Sequence, residues 1–225
     1  MSNSLDQFAA QKLEIRRENG LFRELFETHR DGPITVKRDG RTLISFCCND
    51  YLNLSHDQRL IKAGHEALDL FGTGAGASRL ITGNHPLLTA LEDELAALKG
   101  TEAAIVFGSG YLANLGIIPA LVGQGDLILI DELAHACLMS GTRLSGADEV
   151  RFPHNDMAFV DKILTDRRAD YQHVMIITDG VFSMDGDLAP VDRLAELAAD
   201  HDAWLMTDDA HGIGVVGGGR GSSFS

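Results

Sequence analysis

Val174-Met175-Ile176-Ile177-Thr178-Asp179-Gly180 is an apolar run that ends in polar residues and a glycine, and it decides how the rest is read. The run is continuous rather than alternating, the pattern of a strand covered on both faces in a mainly parallel sheet. Leu127-Ile128-Leu129-Ile130 before Asp131 repeats it, as does Trp204-Leu205-Met206 before Thr207 and Asp208. Ala103-Ala104-Ile105-Val106-Phe107 before Gly108 reads as a fourth buried strand. Helical spacing fills the gaps. Leu87, Leu88, Leu91, Leu95 and Leu98 share one helix face that Gly100 ends, and Leu112, Leu115 and Ile118 share another. A helix capped by Asn155 is expected to about Arg167, and one from Pro190 to Ala199 turns Val191, Leu194 and Leu197 inward. Alternating strands and helices predict an α/β fold whose ligand sites lie at the carboxyl ends of the strands.

Ahead of this region the first 30 residues read as a charged helical arm carrying Leu13, Ile15, Phe22, Leu25 and Phe26, interrupted at Gly20. Asp31-Gly32-Pro33 forms a turn, and Ile34-Thr35-Val36 pairs with Arg41-Thr42-Leu43-Ile44 in a hairpin through Asp39-Gly40. The expected division is an arm and hairpin over 1–50 and a large domain over 51–225. A chain of 225 residues can bury about 70% of its unfolded surface, so it needs no staples. The net charge of −14, with no basic stripe, argues against a nucleic-acid partner. Three cysteines, two of them adjacent, give neither a disulfide framework nor a metal-binding CxxC. No apolar run reaches the ~18–20 residues of a membrane span, and the N-terminus lacks a signal sequence. The expected setting is cytoplasmic, without a membrane.

Polar residues follow each strand. Gly108-Ser109-Gly110-Tyr111 opens a helix, a turn whose backbone N–H groups can close on an anion such as a phosphate. His135 stands four residues past Asp131, and Ser183 four past Asp179. Asp208, at the end of its run, needs a cationic or hydrogen-bonded partner. With His211 three residues on, it suits a heteroaromatic cofactor whose ring nitrogen is kept protonated, and pyridoxal 5′-phosphate is such a cofactor.

FGTGAGASRLITGNHPLLTALEDELAALKGTEAAIVFGSGYLANLG, DELAHACLMSGTRLSG, HND, TDGVFSMDGD and DDAHGIGVVGGGRG, taken in order, resemble the α-oxoamine synthases over about Asn49 to Ser225. The resemblance implies a three-layer α/β sandwich, the large domain of the aspartate aminotransferase-like fold of pyridoxal-phosphate-dependent transferases, preceded by a helical arm. It implies an acyltransferase that joins an amino acid to an acyl-CoA or acyl-carrier-protein thioester with loss of carbon dioxide, working as a homodimer. By position, Gly110 and Tyr111 would receive the cofactor phosphate and His135 would stack on the ring. Asp208 would pair with the ring nitrogen, His211 and Ser183 would serve the phenolic oxygen, and Arg23 would contact substrate. Asn49, Tyr51 and the loop from Gly74 to Arg79 resemble segments at the site or the dimer seam, without a chemical role.

SRLITGNH, SGYLANLG and DDAHGIGV resemble the branch that takes alanine and a pimeloyl thioester toward biotin. Asp179 in TDGVFSMDGD matches a form found also in a glycine-using branch, and the branches making 5-aminolevulinate or using serine share the scaffold. The family's catalytic lysine lies in a Ser/Thr-rich, glycine-flanked segment, a context that Lys12, Lys37, Lys62, Lys99 and Lys162 all lack. The chain is therefore expected to be the N-terminal part of such an enzyme, inactive alone. Two other classes compete with this reading. One is a non-catalytic remnant that only binds cofactor or pairs with a subunit. The other is a dinucleotide-binding domain, against which neither GTGAGA nor GVVGGGRG sits as GxGxxG should.

Overall fold

The computed structural model describes residues 3–225, which divide into two compact units, one ending at Gly72 and one from Thr73 to Ser225. In the first, helix α1 (Ser4–Glu18) is capped by Asn3 and buries no residue. The expected 30-residue helix is shorter than read. It stops at Glu18, Gly20 turns the chain at φ 66°, and Phe22, Leu25 and Phe26 lie outside any helix. Strands β1 (His29–Arg30), β2 (Thr35–Arg38) and β3 (Arg41–Ile44) form an antiparallel sheet. Asp39 and Gly40 join β2 to β3 with φ of 50° and 70°, the two positive angles a tight hairpin turn requires. Helix α2 (Gln58–Phe71), capped by Asp57, closes this unit.

The second unit begins with α3 (Pro86–Lys99) and α4 (Gly110–Leu121). Gly100 ends α3 in the left-handed region, as the sequence implied. A four-stranded sheet follows, with β4 (Leu127–Asp131), α5 (Ala136–Ser145), β5 (Asp148–Phe152), α6 (Met157–Arg167), β6 (Val174–Asp179), α7 (Val191–Asp200) and β7 (Trp204–Asp208) in chain order. The spatial order is β5–β4–β6–β7, all parallel.

Side chains alternate across the two central strands. Leu127, Leu129, Val174 and Ile176 pack with Val160 and Leu164 of α6 and Leu194, Leu197 and Ala198 of α7. Ile128, Ile130, Met175 and Ile177 pack on the other face with Ile118 of α4 and Cys137 and Leu138 of α5. Each fully buried aliphatic side chain contributes about 1.5–3 kcal/mol relative to exposure. Helices on both faces explain why β4 and β6 read as unbroken apolar runs.

Two local expectations are corrected, and one strand was not foreseen. Residues 103–107 are not a strand: Ile105 is 69% exposed. The Val106 N–H donates to Glu92 Oε1 (2.7 Å) and its carbonyl accepts from Arg79 Nη1 (2.9 Å), so an ion pair takes the bonds a neighbouring strand would have taken. Asn155 does not cap α6. It adopts φ 56°, and Asp156 caps instead through Phe159 N–H. β5 went unread because Asp148-Glu149-Val150-Arg151-Phe152 is charged and lies at a sheet edge, with Phe152 alone buried.

Candidate active site

The carboxyl ends of β4, β6 and β7 carry Asp131, Asp179 and Asp208, and the chain packs each differently. Asp131 is fully buried, accepting from the N–H groups of Leu133 (2.8 Å) and Asn155 (3.1 Å) and facing His154 Nδ1 at 3.1 Å. Asp179 is 6% exposed and accepts the His135 backbone N–H on Oδ2 at 2.7 Å. Burial, together with the charge of Asp208, pushes the Asp179 carboxyl up to about 6 against the pull of that N–H. Asp208 lies directly across from Asp179 in the β6–β7 register. It is half-buried, taking the Ala210 N–H on Oδ1 (3.0 Å) and the Asn114 side-chain amide on Oδ2 (2.6 Å).

Helices α4 and α5 begin at this edge. Ser109 caps α4 by accepting from Leu112 N–H, which leaves Gly110 and Tyr111 in the first turn, where N–H groups have no intrahelical acceptor. Tyr111 is exposed and its hydroxyl reaches Ser140 Oγ on α5 (3.4 Å). His135 is the N-cap of α5, its Nδ1 accepting from Cys137 N–H at 3.3 Å and meeting Cys137 Sγ at 2.7 Å. Gly141 lets the two helices approach: a Cβ there would lie 2.7 Å from Asn114 O and from Ile118 Cδ1.

His135 and Asp208 are thus brought together through Cys137 and Asn114, with Gly110 and Tyr111 on the neighbouring helix start. Ser183 is exposed in the loop bracketed by the Val181–Leu188 bridge, and His211 is half-buried in the turn after β7. Arg23 belongs to the first unit, where with Ala9, Lys12, Leu13, Arg16, Leu21 and Phe22 it lines a recess of about 680 Å³. Lys99 is committed elsewhere: its Nζ meets Asp209 Oδ2 (3.3 Å), Arg220 O (2.9 Å) and Ser223 Oγ (3.1 Å). A Cβ at Gly180, Gly212 or Gly221 would collide with the Asp209 carboxyl, which also accepts the Ser222 N–H. Among the described residues no cluster of metal-ligating side chains exists and no helix is long and apolar enough to cross a membrane.

A family model for aminotransferases of class I and II matches residues 41–223. The chain belongs to that family. Among curated relatives, the 8-amino-7-oxononanoate synthase of Beijerinckia indica is 61% identical over 98% of this chain. That of Methylocella silvestris is 63% identical over 83%. The chain spans 57% and 53% of their respective lengths, little more than half. Among solved structures, a serine palmitoyltransferase variant from S. paucimobilis with a bound PLP–myriocin aldimine superposes with a TM-score of 0.87. It is 32% identical, over 98% of this chain and 56% of its own. The 8-amino-7-oxononanoate synthase of Francisella tularensis gives a TM-score of 0.65 at 32% identity, over 80% of this chain and 49% of its own. The aminotransferase-family fold, a three-layer sandwich around a mainly parallel sheet, is therefore the fold of this chain.

Asn114, Cys137 and Asp179 enter the site without having been given roles from sequence. The signal for Asn114 was present: it stands four residues before Ile118 and so shares that residue's helix face, where a buried amide needs a partner, while Leu112 turns out 55% exposed.

Proposed function

We propose that this chain is the cofactor-binding part of an α-oxoamine synthase that joins alanine to a pimeloyl thioester, with loss of carbon dioxide, to give 8-amino-7-oxononanoate for biotin synthesis. The observation that carries this reading is the Asp208 carboxylate at the end of β7, oriented by two donors and linked through Cys137 to the exposed imidazole of His135. The donor set fits pyridoxal 5′-phosphate. Three carboxylates at one sheet edge favour a protonated ring nitrogen, and the first turn of α4 offers N–H groups and a positive dipole end to a phosphate. The bound cofactor supplies an electron-withdrawing ring that stabilises negative charge at the amino acid's α-carbon.

In this reading Gly110 and Tyr111 bind the phosphate, and His135 covers the ring face and orients substrate. Asp208 would accept a hydrogen bond from the protonated ring nitrogen and favour that protonation: for unit charges ~4 Å apart at an effective dielectric of about 20 the Coulomb attraction is near 4 kcal/mol. Ser183 and His211 serve the phenolic oxygen, and Arg23 binds substrate. An arm over 1–50 and a cofactor domain over 51–225, a homodimer and a cytoplasmic setting belong to the same proposal. The catalytic lysine is supplied from outside these 225 residues, since none of the five lysines has the family's context and Lys99 is moreover held by Asp209.

Titrating the chain with pyridoxal 5′-phosphate, followed by its near-visible absorbance, tests the reading. Wild type is expected to saturate, and Asp208→Asn to bind at least about tenfold more weakly. Equal binding by both, or none by wild type, would sink it. A second reading, with glycine or serine as the amino acid, draws on Asp179 within TDGVFSMDGD and on the backbone likeness to serine palmitoyltransferase. Product analysis by mass spectrometry with each amino acid, on the protein carrying the lysine, separates the two.

A further inference from the structure

We propose that Asn114 and Cys137 are positioning residues. Asn114 holds the Asp208 carboxylate, while the Cys137 thiol and N–H hold the His135 ring as its Nε2–H tautomer. The inference rests on the reading above, that His135 and Asp208 face the cofactor.

Asn114 is 6% exposed and its amide has two protons to give. Both have acceptors: Asp208 Oδ2 at 2.6 Å and Cys137 Sγ at 3.1 Å. Cys137, 2% exposed, lies between the two cofactor-facing residues, with His135 Nδ1 at 2.7 Å and Asp208 Oδ2 at 3.9 Å. The Cys137 backbone N–H also points at Nδ1, at 3.3 Å. A nitrogen that takes a backbone N–H is an acceptor, so the ring proton resides on Nε2. The thiol then supplies the second donor to Nδ1. Burial, helped by the charges of Asp208 and Asp179, pushes that thiol up, against the opposing amide of Asn114, so it stays S–H and can donate.

The chain of bonds therefore has one direction. Asn114 gives to carboxylate and sulfur, and sulfur gives to imidazole. It leaves Nε2–H of an exposed ring as the donor His135 offers to whatever lies over it. A carboxylate at the end of β7 and an imidazole at the start of α5 are thereby held as one unit by side chains that touch neither cofactor nor substrate.

The S–H stretching band absorbs where other protein groups do not, so infrared spectra read this thiol directly. Cys47 and Cys48 are exposed and serve as internal references. A down-shifted band is expected in wild type, absent in Cys137→Ser, and displaced in both His135→Phe and Asn114→Leu. Nitrogen-15 spectra of histidine-labelled chain should show His135 Nδ1 unprotonated in wild type and in Cys137→Ser, whose hydroxyl can still donate. In pyridoxal 5′-phosphate titrations, Asn114→Leu should bind about tenfold more weakly and Cys137→Ser within about twofold of wild type. A protonated Nδ1, a thiol band indifferent to His135→Phe, or Asn114→Leu binding as tightly as wild type each overturns the proposal. Failure of wild type to take up cofactor would defeat the functional reading instead, while the infrared and nitrogen signals still decide this one.

Discussion

Asp179 and Asp208 face each other across adjacent parallel strands, yet the buried one of the pair is the one bonded to the His135 backbone. Asp179 thus anchors the start of α5 from beneath, while Asp208 stays half-open beside it. Two carboxylates so placed repel, and the repulsion adds to the burial that raises Asp179.

That elevation has a defined pH signature. The unfolded chain releases the Asp179 proton near 3.8, whereas the native state retains it to about 6. Between these values the unfolded state binds fewer protons, so native stability falls as pH rises, by up to about 3 kcal/mol for a shift of this size. Asp179→Asn keeps an acceptor for His135 N–H and lacks the titration. Urea unfolding of the cofactor-free chain from pH 4 to 6.5 should show a steeper decline in wild type than in this variant. Parallel curves would refute the assignment.

His154 carries a second pH dependence at higher values. Burial alone would lower its imidazole, but hydrogen bonds to Asp187 (2.7 Å) and Asp131 (3.1 Å), aided by their charges, raise it above 6.5. Glu132 faces it as well, accepting the His154 backbone N–H. Because the native pKa is the higher one, the stabilisation is complete below 6.5 and disappears as pH climbs through the folded value. His154→Gln should unfold at the same urea concentration on both sides of that interval, where wild type weakens.

Gly141→Ala tests the contact between α4 and α5. The added methyl would meet Asn114 O and Ile118 Cδ1 at 2.7 Å, and overpacking of this kind costs about 1–3 kcal/mol. The urea midpoint should drop with an unchanged slope. An unaltered midpoint would mean that the helices can part without cost.

Lys99 and Gly221 secure Asp209, next to Asp208. Removing the ammonium in Lys99→Met leaves a carboxylate with 10% side-chain exposure short of its cation, an expected loss of about 1.5–3 kcal/mol. Gly221→Ala should cost more, since its φ is 99° and its Cβ would strike the Asp209 carboxyl. Thermal unfolding of both variants ranks them, and the reverse order would contradict the glycine's role.

The parts of the fold legible in sequence were those where one physical demand dominates. β4 and β6, sandwiched between helices, had to be apolar up to the polar residues at their carboxyl ends, and Gly100 at the end of α3 needed the left-handed region. Residues 103–107 misled because an apolar composition does not reveal who supplies the hydrogen bonds, here Arg79 and Glu92 from distant positions. Of the candidate site, the residues at strand ends and helix starts could be picked out by position, because topology alone puts them there. What joins His135 to Asp208 could not, for Cys137 looks like an ordinary core residue, and the amide of Asn114 shows a need for a partner without naming it until α4 and α5 are docked.

The alternation of core side chains along β6 sets a tolerance for length. Inserting or deleting one residue within Val174–Asp179 would exchange the partners of Met175 and Ile176, sending each into the layer shaped for the other. It would also rotate Asp179 away from α5. The central strand is consequently a ruler: viable sequence variants should substitute freely in kind there but preserve its residue count.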